Sequence, residues 1–422
     1  MARLHHSEKT ARELILDAAF SFYNEPRLSV FSMNELAAKI GISKPAIYRH
    51  FKDKDAVLAA MHEQFVSSLS ECLLRVQQEE DGGAVPIASV ADVVQFFVEH
   101  PYYVNYMIGN LASVEDFEIH LAQELETRGV KSLSGFKYAR EKSTKNIIEN
   151  FDHYVRTIYC GVTIFIFIKG REKLIATQSP VEEAKQFSHN LVSFLARGLV
   201  ETTDKADILH PLPITPARMA ELDSLCTITD DMLPPKNRFF EAFASVIRKY
   251  KFNGITVERI ADELGMAKSS LYEYFDNKNE MIKTLITKEL SLLNTIVKEN
   301  TVEAQTFSEY LYILIRSEFA FFHLRSSLIP ICGWLLMSTA DETFFHEFDS
   351  PDQWISRLPD PLERPHVGIP LTGGSLVAWV SCLPISLVMQ CEGRQLTQEE
   401  KISALKKMFD FVQNGIEPKD RI

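Results

Sequence analysis

Several common signatures are missing from this chain, and each absence narrows the field. No two of its six cysteines (Cys72, Cys160, Cys226, Cys332, Cys382, Cys391) stand at C-x-x-C spacing, so nothing points to a redox pair or a zinc ribbon. The start, MARLHHSEKT, lacks the apolar core of a signal peptide, and a reducing cytoplasm is the expected compartment. His5 and His6 stand isolated from other ligand types, so no metal site and no cofactor is expected. Residues 369–391 carry no charge and no histidine, but Pro370, Gly373, Gly374 and Pro384 interrupt them. A membrane span needs about 20 apolar residues, so this stretch reads as a buried helix pair or interface, with no membrane partner. G-x-S-x-G, H-E-x-x-H, P-loop and Gly-rich nucleotide motifs are also absent, which makes an enzyme the weakest functional class.

What the chain does have is repetition. FSMNELAAKIGISKPAIYRHFKDKDAVL at 31–58 aligns without a gap to ITVERIADELGMAKSSLYEYFDNKNEMI at 255–282, 224 positions on. Ala37, Gly41, Lys44, Tyr48, Phe51 and Lys54 recur as Ala261, Gly265, Lys268, Tyr272, Phe275 and Lys278. A length of 422 residues with 46% hydrophobic and 24% charged residues allows two or more globular domains, and repetition at half the length argues for two similar halves. The net charge of -12 disfavours a generally adhesive nucleic-acid coat, but DNA binding depends on the contacting face. Residues 1–60 hold nine Lys/Arg against seven Asp/Glu and 236–290 hold ten against eight, so each is +2 and the remainder carries -16.

The repeated segment reads as a helix-turn-helix. Leu14, Ile15, Ala18, Ala19 and Phe22 recur at helical spacing and predict an amphipathic helix over 7–23 that covers the motif. Ser32 with Glu35 forms a capping-box pattern for the next helix, and Gly41 supplies the left-handed residue that ends it. Ser43 is expected to cap a third helix with Pro45 in its first turn, and Asp53, or Asn277 in the second copy, a fourth. On that third helix Ile47 and Phe51 share one face, while Pro45, Ala46, Tyr48 and Arg49 project from another, the candidate reading surface. Lys44, Tyr48 and Lys54 suit phosphate contacts. A plain helical hairpin with solvated lysines would explain one copy; two matching copies weigh against it.

At these residues the chain resembles the TetR/AcrR family of transcriptional regulators. The resemblance rests on Ser32, Ala37, Gly41-Ile42-Ser43, Ile47-Tyr48-Arg49-His50-Phe51 and Lys54, and again on Thr256, Ala261, Gly265, Leu271-Tyr272-Glu273-Tyr274-Phe275 and Lys278. It covers about 50 residues in each half. Ala267 departs from the usual Ser, and family members normally carry one such domain per chain. The resemblance implies an all-α fold of two tandem units, each a helix-turn-helix DNA-binding domain followed by a helical ligand-binding or dimerisation-type domain. It assigns double-stranded operator DNA to Ser32, Ser43, Lys44, Pro45, Ala46, Tyr48, Arg49, His50 and Lys54, and to Thr256, Lys268, Ser269, Ser270, Tyr272, Glu273, Tyr274 and Lys278. The implied further partner is a small apolar or amphipathic effector.

The expected layout is a first helix-turn-helix domain at 1–60, a first regulatory domain at 61–201, a Pro-rich linker at 202–235, a second helix-turn-helix domain at 236–290 and a second regulatory domain at 291–422. Helix-compatible stretches fall at 90–106, 151–169, 181–201, 307–322, 366–390 and 397–414. VTIFIFI at 162–168 is the best strand candidate, but its helical neighbours favour a buried helix. Phe96, Phe97, Tyr102, Tyr103, Tyr106, Phe165 and Phe167, with Phe319, Phe321, Phe322, Trp334, Phe344, Phe345 and Trp354, are either effector-cavity lining or ordinary core. Pro211, Pro213, Pro216, Pro234 and Pro235 make 202–235 a stiff connector, with one short helix opened by Thr215 and Pro216.

The leading functional reading is a ligand-responsive DNA-binding regulator. Repression is expected because it needs only occupancy of an operator, here a pseudo-palindrome read by two unlike units. The competing class is a sensor or interaction protein in which one or both helix-turn-helix units no longer bind DNA. Glu273, opposite Arg49, would repel a phosphate or accept from a cytosine amino group. Pairing of the halves within one chain is expected over a homodimer with four reading units.

Overall fold

A computed structural model describes residues 10–24, 31–78, 87–113, 117–130, 147–174, 181–199, 212–250, 255–274, 278–329, 331, 354, 356, 373–391 and 396–416. Among them every regular element is helical. In the first half α1 (Ala11–Ser21), α2 (Met33–Ile40) and α3 (Lys44–Tyr48) form the reader. From it α4 (Lys54–Gln78) runs into a core built of α5 (Ile87–Glu99), α6 (Pro101–Ser113), α7 (Phe117–Thr127), α8 (Ile147–Leu174) and α9 (Val181–Arg197). The helix-compatible stretch 90–106 spans two helices, because Pro101 has no N–H to continue α5 and opens α6 instead. The strand candidate at 162–168 lies inside α8.

In the second half α10 (Pro216–Leu225) precedes a reader of α11 (Arg238–Tyr250), α12 (Val257–Leu264) and α13 (Lys268–Leu271). Then come α14 (Lys278–Thr301), α15 (Phe307–Leu324), α16 (Gly373–Cys391) and α17 (Gln398–Asn414). Almost the whole of α15 is buried, polar residues included, as expected of a helix with neighbours on every side. It packs against α10, α14, α16 and α17. No helix among the described residues is long and apolar enough to cross a membrane.

The stretch expected to be a connector is, over its described part, docked onto the second half. Thr215 caps α10, as its sequence suggested. Arg218 then grips Glu309 on α15 with two N–H groups at 3.3 and 3.0 Å. Asp223 accepts from the Tyr312 hydroxyl at 2.5 Å and pairs with Lys406 of α17 at 2.7 Å and with Arg316 at 3.4 Å. Leu222 and Cys226 are buried beneath these ties. Prolines limit what this segment can form, but its Arg and Asp find partners only because α15 presents Glu309, Tyr312 and Arg316 along one face.

The two halves meet through their last helices. α8 packs on α16 and α17, and α9 reaches α17. Trp379, wholly buried on α16, donates from its indole N–H to the Thr163 hydroxyl at 3.0 Å. Its ring lies 5.0 Å from Phe194, 5.8 Å from Phe167 and 6.2 Å from Tyr159. Phe411, which stands 217 positions after Phe194, packs its ring 5.7 Å from Tyr159. Each half thus inserts the same phenylalanine against an aromatic residue of the other, and contacts of this kind contribute roughly 0.5–1.5 kcal/mol each beyond the area they bury.

The ends of α9 and α17 exchange backbone hydrogen bonds reciprocally. Leu199 N–H donates to the Val412 carbonyl at 3.2 Å, and Ile416 N–H donates to the Leu195 carbonyl at 3.0 Å. Leu195 and Val412, like Leu199 and Ile416, stand 217 positions apart, so the two bonds are related by a local two-fold. Between them Gly198 (φ +61°) and Gly415 (φ +69°) pass so closely that a Cβ on Gly415 would stand 2.1 Å from the Ala196 oxygen. Gly415 has ψ -168°, in a region open essentially to glycine alone. Gly415→Ala should therefore cost at least about 3 kcal/mol in chemical denaturation, from backbone strain and overlap together; a loss below about 1 kcal/mol would mean the crossing opens freely.

A second consequence comes from Glu318. Its carboxyl is buried between α15 and α16, where one oxygen accepts from the Ser381 hydroxyl at 2.7 Å and the other has no hydrogen-bond partner among the described residues. Burial pushes its pKa from 4.5 up to about 8. The neutral acid's stabilisation is complete below the unfolded value and is lost as pH rises through the folded one. Stability should thus fall between about pH 4.5 and pH 8. Glu318→Gln should flatten that slope and raise the melting temperature most at pH 8, with little change at pH 5; equal effects at both pH values would contradict the assignment.

Candidate nucleic-acid interface

Local chemistry places the first reading helix. The Ser32 hydroxyl accepts from Glu35 N–H at 3.2 Å while the Glu35 carboxylate accepts from Ser32 N–H at 2.6 Å, so the capping box expected from sequence starts α2. Gly41, at φ +76°, ends it and turns the chain. Ser43 occupies the cap position of α3, but its hydroxyl makes no capping bond, contrary to expectation. The turn closes through its backbone carbonyl, which accepts from Ala46 N–H at 2.9 Å. Ala267 does the same with Ser270 N–H at 3.1 Å, so the second reader loses no cap by lacking the hydroxyl. Asp53 caps α4 by accepting from Ala56 N–H at 2.8 Å. Its counterpart Asn277 lies outside the described residues, as does Phe275.

Ile47 and Phe51 are buried against the α1–α2 core, which fixes the rotation of α3 and turns its other side outward. There Lys44, Pro45, Tyr48, Arg49 and His50 are exposed and Ala46 is half-buried. Tyr48 leaves 43% of its surface free, and Lys44 stands over its ring at 5.9 Å. Among the described residues Lys44 has no ion-pair partner. Lys54 is half-buried, its ammonium 5.4 Å above the Phe31 ring, and burial lowers its pKa. It braces the start of α4 more than it projects.

The second reader has the same frame with a different charge. Thr256 accepts from Arg259 N–H at 3.3 Å, and Gly265 at φ +65° ends α12. Lys268, Ser269, Tyr272, Glu273 and Tyr274 are exposed, and Ser270 is half-buried. Tyr274 packs its ring 5.2 Å from Phe239. Lys278 opens α14, with its side chain outside the described set. Lys268 is paired with Glu258, the residue opposite Asn34. That contact was missed in the sequence, although the Asn-to-Glu difference in the alignment was its visible signal. Lys249 similarly holds Glu263 at 2.7 Å.

Comparison with known families picks out both helix-turn-helix frames, each of which carries a lysine at the start of its outward-facing helix and an exposed tyrosine one turn on. The model for bacterial regulatory proteins of the tetR family matches residues 15–61 and again 241–285. The chain carries two tetR-family units. It is a DNA-binding transcriptional regulator, and DNA is the partner that the family match implies.

In this tetR-type chain each reader is also wired to its core. Phe20 on α1 stacks within 5.1–5.5 Å of Tyr102, Tyr103 and Tyr106 on α6. His62 on α4 bridges the Tyr106 hydroxyl at 2.9 Å and the Glu124 carboxylate of α7 at 3.0 Å. In the second half Ser327 donates to Glu241 of α11 at 2.5 Å, and Arg325 pairs with Glu289 of α14 at 3.7 Å. The aromatics considered as cavity lining are largely core: Phe96, Phe97, Tyr103, Tyr106, Phe167, Phe319, Phe321, Phe322 and Trp354 are all buried, while Trp334, Phe344 and Phe345 lie outside the described residues.

The exposed Lys44 and Arg49 should separate by role. Lys44→Ala should weaken binding to all sequences alike and lower the salt slope by about one, whereas Arg49→Ala should also change the preferred base at one position. Anisotropy titrations over a salt series on several duplexes measure both; a sequence-selective loss for Lys44→Ala with an unchanged slope would reverse the assignment.

Proposed function

We propose that this chain is a ligand-responsive repressor whose two tetR-type units act as a pseudo-dimer within one polypeptide, reading an imperfect palindrome on double-stranded DNA in the cytoplasm. The observation that carries the reading is the reciprocal pair of backbone bonds, Leu199 to Val412 and Ile416 to Leu195, at the crossing of α9 and α17. A two-fold contact of this kind ordinarily joins two subunits, and here it joins the halves of one chain. The tether raises the effective concentration of the second half to roughly millimolar, which favours pairing within the chain over pairing between chains. The readers then address half-sites roughly 34–36 Å apart, one turn of DNA, or a related spacing. Unlike outward faces, Pro45, Ala46 and Arg49 against Ser269, Ser270 and Glu273, favour unlike half-sites.

Effector response is supported by the way α4 is held. An apolar or amphipathic ligand that enters a core displaces α6 or α7 and with them the His62 bridge, so α4 and the reader at its start must follow. A ligand shifts that equilibrium only through its different affinity for the two arrangements. Light scattering coupled to size exclusion, followed by selection from a random DNA pool, is the direct test. We expect a mass near 48.1 kDa and an asymmetric recovered site. A species of twice that mass at nanomolar protein, or a perfectly symmetric site, would overturn the pseudo-dimer.

A further inference from the structure

The two readers share a frame but not a field. Across residues 32–54 there are five Lys/Arg and two Asp/Glu, a net +3. Across the equivalent 256–278 there are three Lys/Arg and five Asp/Glu, a net -2. The equality of the wider segments, +2 each, hides this inversion because α11 and α14 supply lysine and arginine away from the turn.

The inversion is organised around one contact. Glu258, in the first turn of α12, reaches across the Gly265 turn to Lys268 at the start of α13, ten positions on, and the two form an ion pair. At the corresponding place in the first reader stands Asn34, and Lys44 has no ion-pair partner among the described residues. The Lys268 hydrogen bond holds the Glu258 carboxyl down to about pKa 2, so it stays ionised throughout the neutral range. Nearby, Glu273 replaces Arg49 on the outward face.

Given that the α3 and α13 faces meet DNA, as argued under the proposed function, we propose that Glu258 is a built-in counter-ion that occupies the phosphate-contacting lysine of the second reader. The chain then anchors on DNA through the first reader, and the second adds sequence discrimination with little affinity. The reason is counterion release. A lysine that neutralises a phosphate frees close to one condensed cation from the duplex, which drives binding and sets its salt slope. Lys268 paired with Glu258 brings no net charge to the backbone. If Lys268 swings to a phosphate instead, the carboxylate left behind faces the same backbone unpaired.

The test uses the full chain and a labelled random-sequence duplex of about 30 base pairs, about three turns, because phosphate contacts do not depend on sequence. Glu258→Asn, which installs the first reader's residue, should tighten binding several-fold and steepen the salt slope by about one. Glu258→Gln should do the same, and thermal melts confirm that both variants fold. The double variant Glu258→Asn, Lys268→Ala removes both members of a pair with no net charge, so it should bind like the unaltered chain and cancel the gain of Glu258→Asn, whereas Lys44→Ala should weaken binding. Unchanged affinity and slope in both Glu258 variants, with the unaltered chain still binding, would overturn the proposal alone, as would a double variant that binds as tightly as Glu258→Asn. Failure of the unaltered chain and of Glu258→Asn alike to bind at low salt would overturn it together with the DNA-binding reading beneath it.

Discussion

Where α9 and α17 end, two backbones cross with no room for a side chain on either. Gly198 and Gly415 both take positive φ there, and the flanking amides exchange hydrogen bonds across the crossing. Close approach of this kind fixes the relative rotation of the helices on both sides. Once α9 and α17 are set, α8 and α16 must pack face to face, and Trp379, Phe194, Tyr159 and Phe411 fill the space between. The placement of one half on the other therefore follows from a contact of a few residues, and everything outside it, readers included, is carried by helices rooted there.

Polar groups inside this arrangement mark where it is specified rather than merely stabilised. Thr163 accepts from Trp379 and donates to the Tyr159 carbonyl at 2.6 Å, so its hydroxyl is satisfied in both directions. Such a pair contributes little net energy but penalises any register in which the indole N–H is left alone. Glu318 is the opposite case. It carries a carboxyl with one oxygen unpartnered among the described residues, a cost that the core meets by holding it neutral.

The duplication also freed the two units to diverge. In an assembly of identical chains, a change that weakens one reading face weakens both. Here Asn34 and Glu258, or Arg49 and Glu273, differ inside one molecule. The docked segment at 212–235 is asymmetric in the same way. Arg218 and Asp223 tie it to α15 and α17 of the second half.

Local order was legible in the sequence because short-range rules decide it. The capping box of Ser32 and Glu35, the glycine turns at Gly41 and Gly265, and the apolar spacing before them placed both readers, and helical periodicity placed α8, α9, α15 and α17 to within a few residues of their ends. The Ser43 cap failed because a hydroxyl and a backbone carbonyl can close the same turn, and sequence does not say which. The similarity of FLARGL at 194–199 to FVQNGI at 411–416 was visible in principle, but without coordinates it is one weak repeat among many. The tertiary structure alone decided that these two glycines touch, that α10 lies along α15, and that Lys268 meets Glu258 across a turn. Those outcomes depend on which surfaces are brought together over long chain separations, and periodicity within a segment carries no information about that.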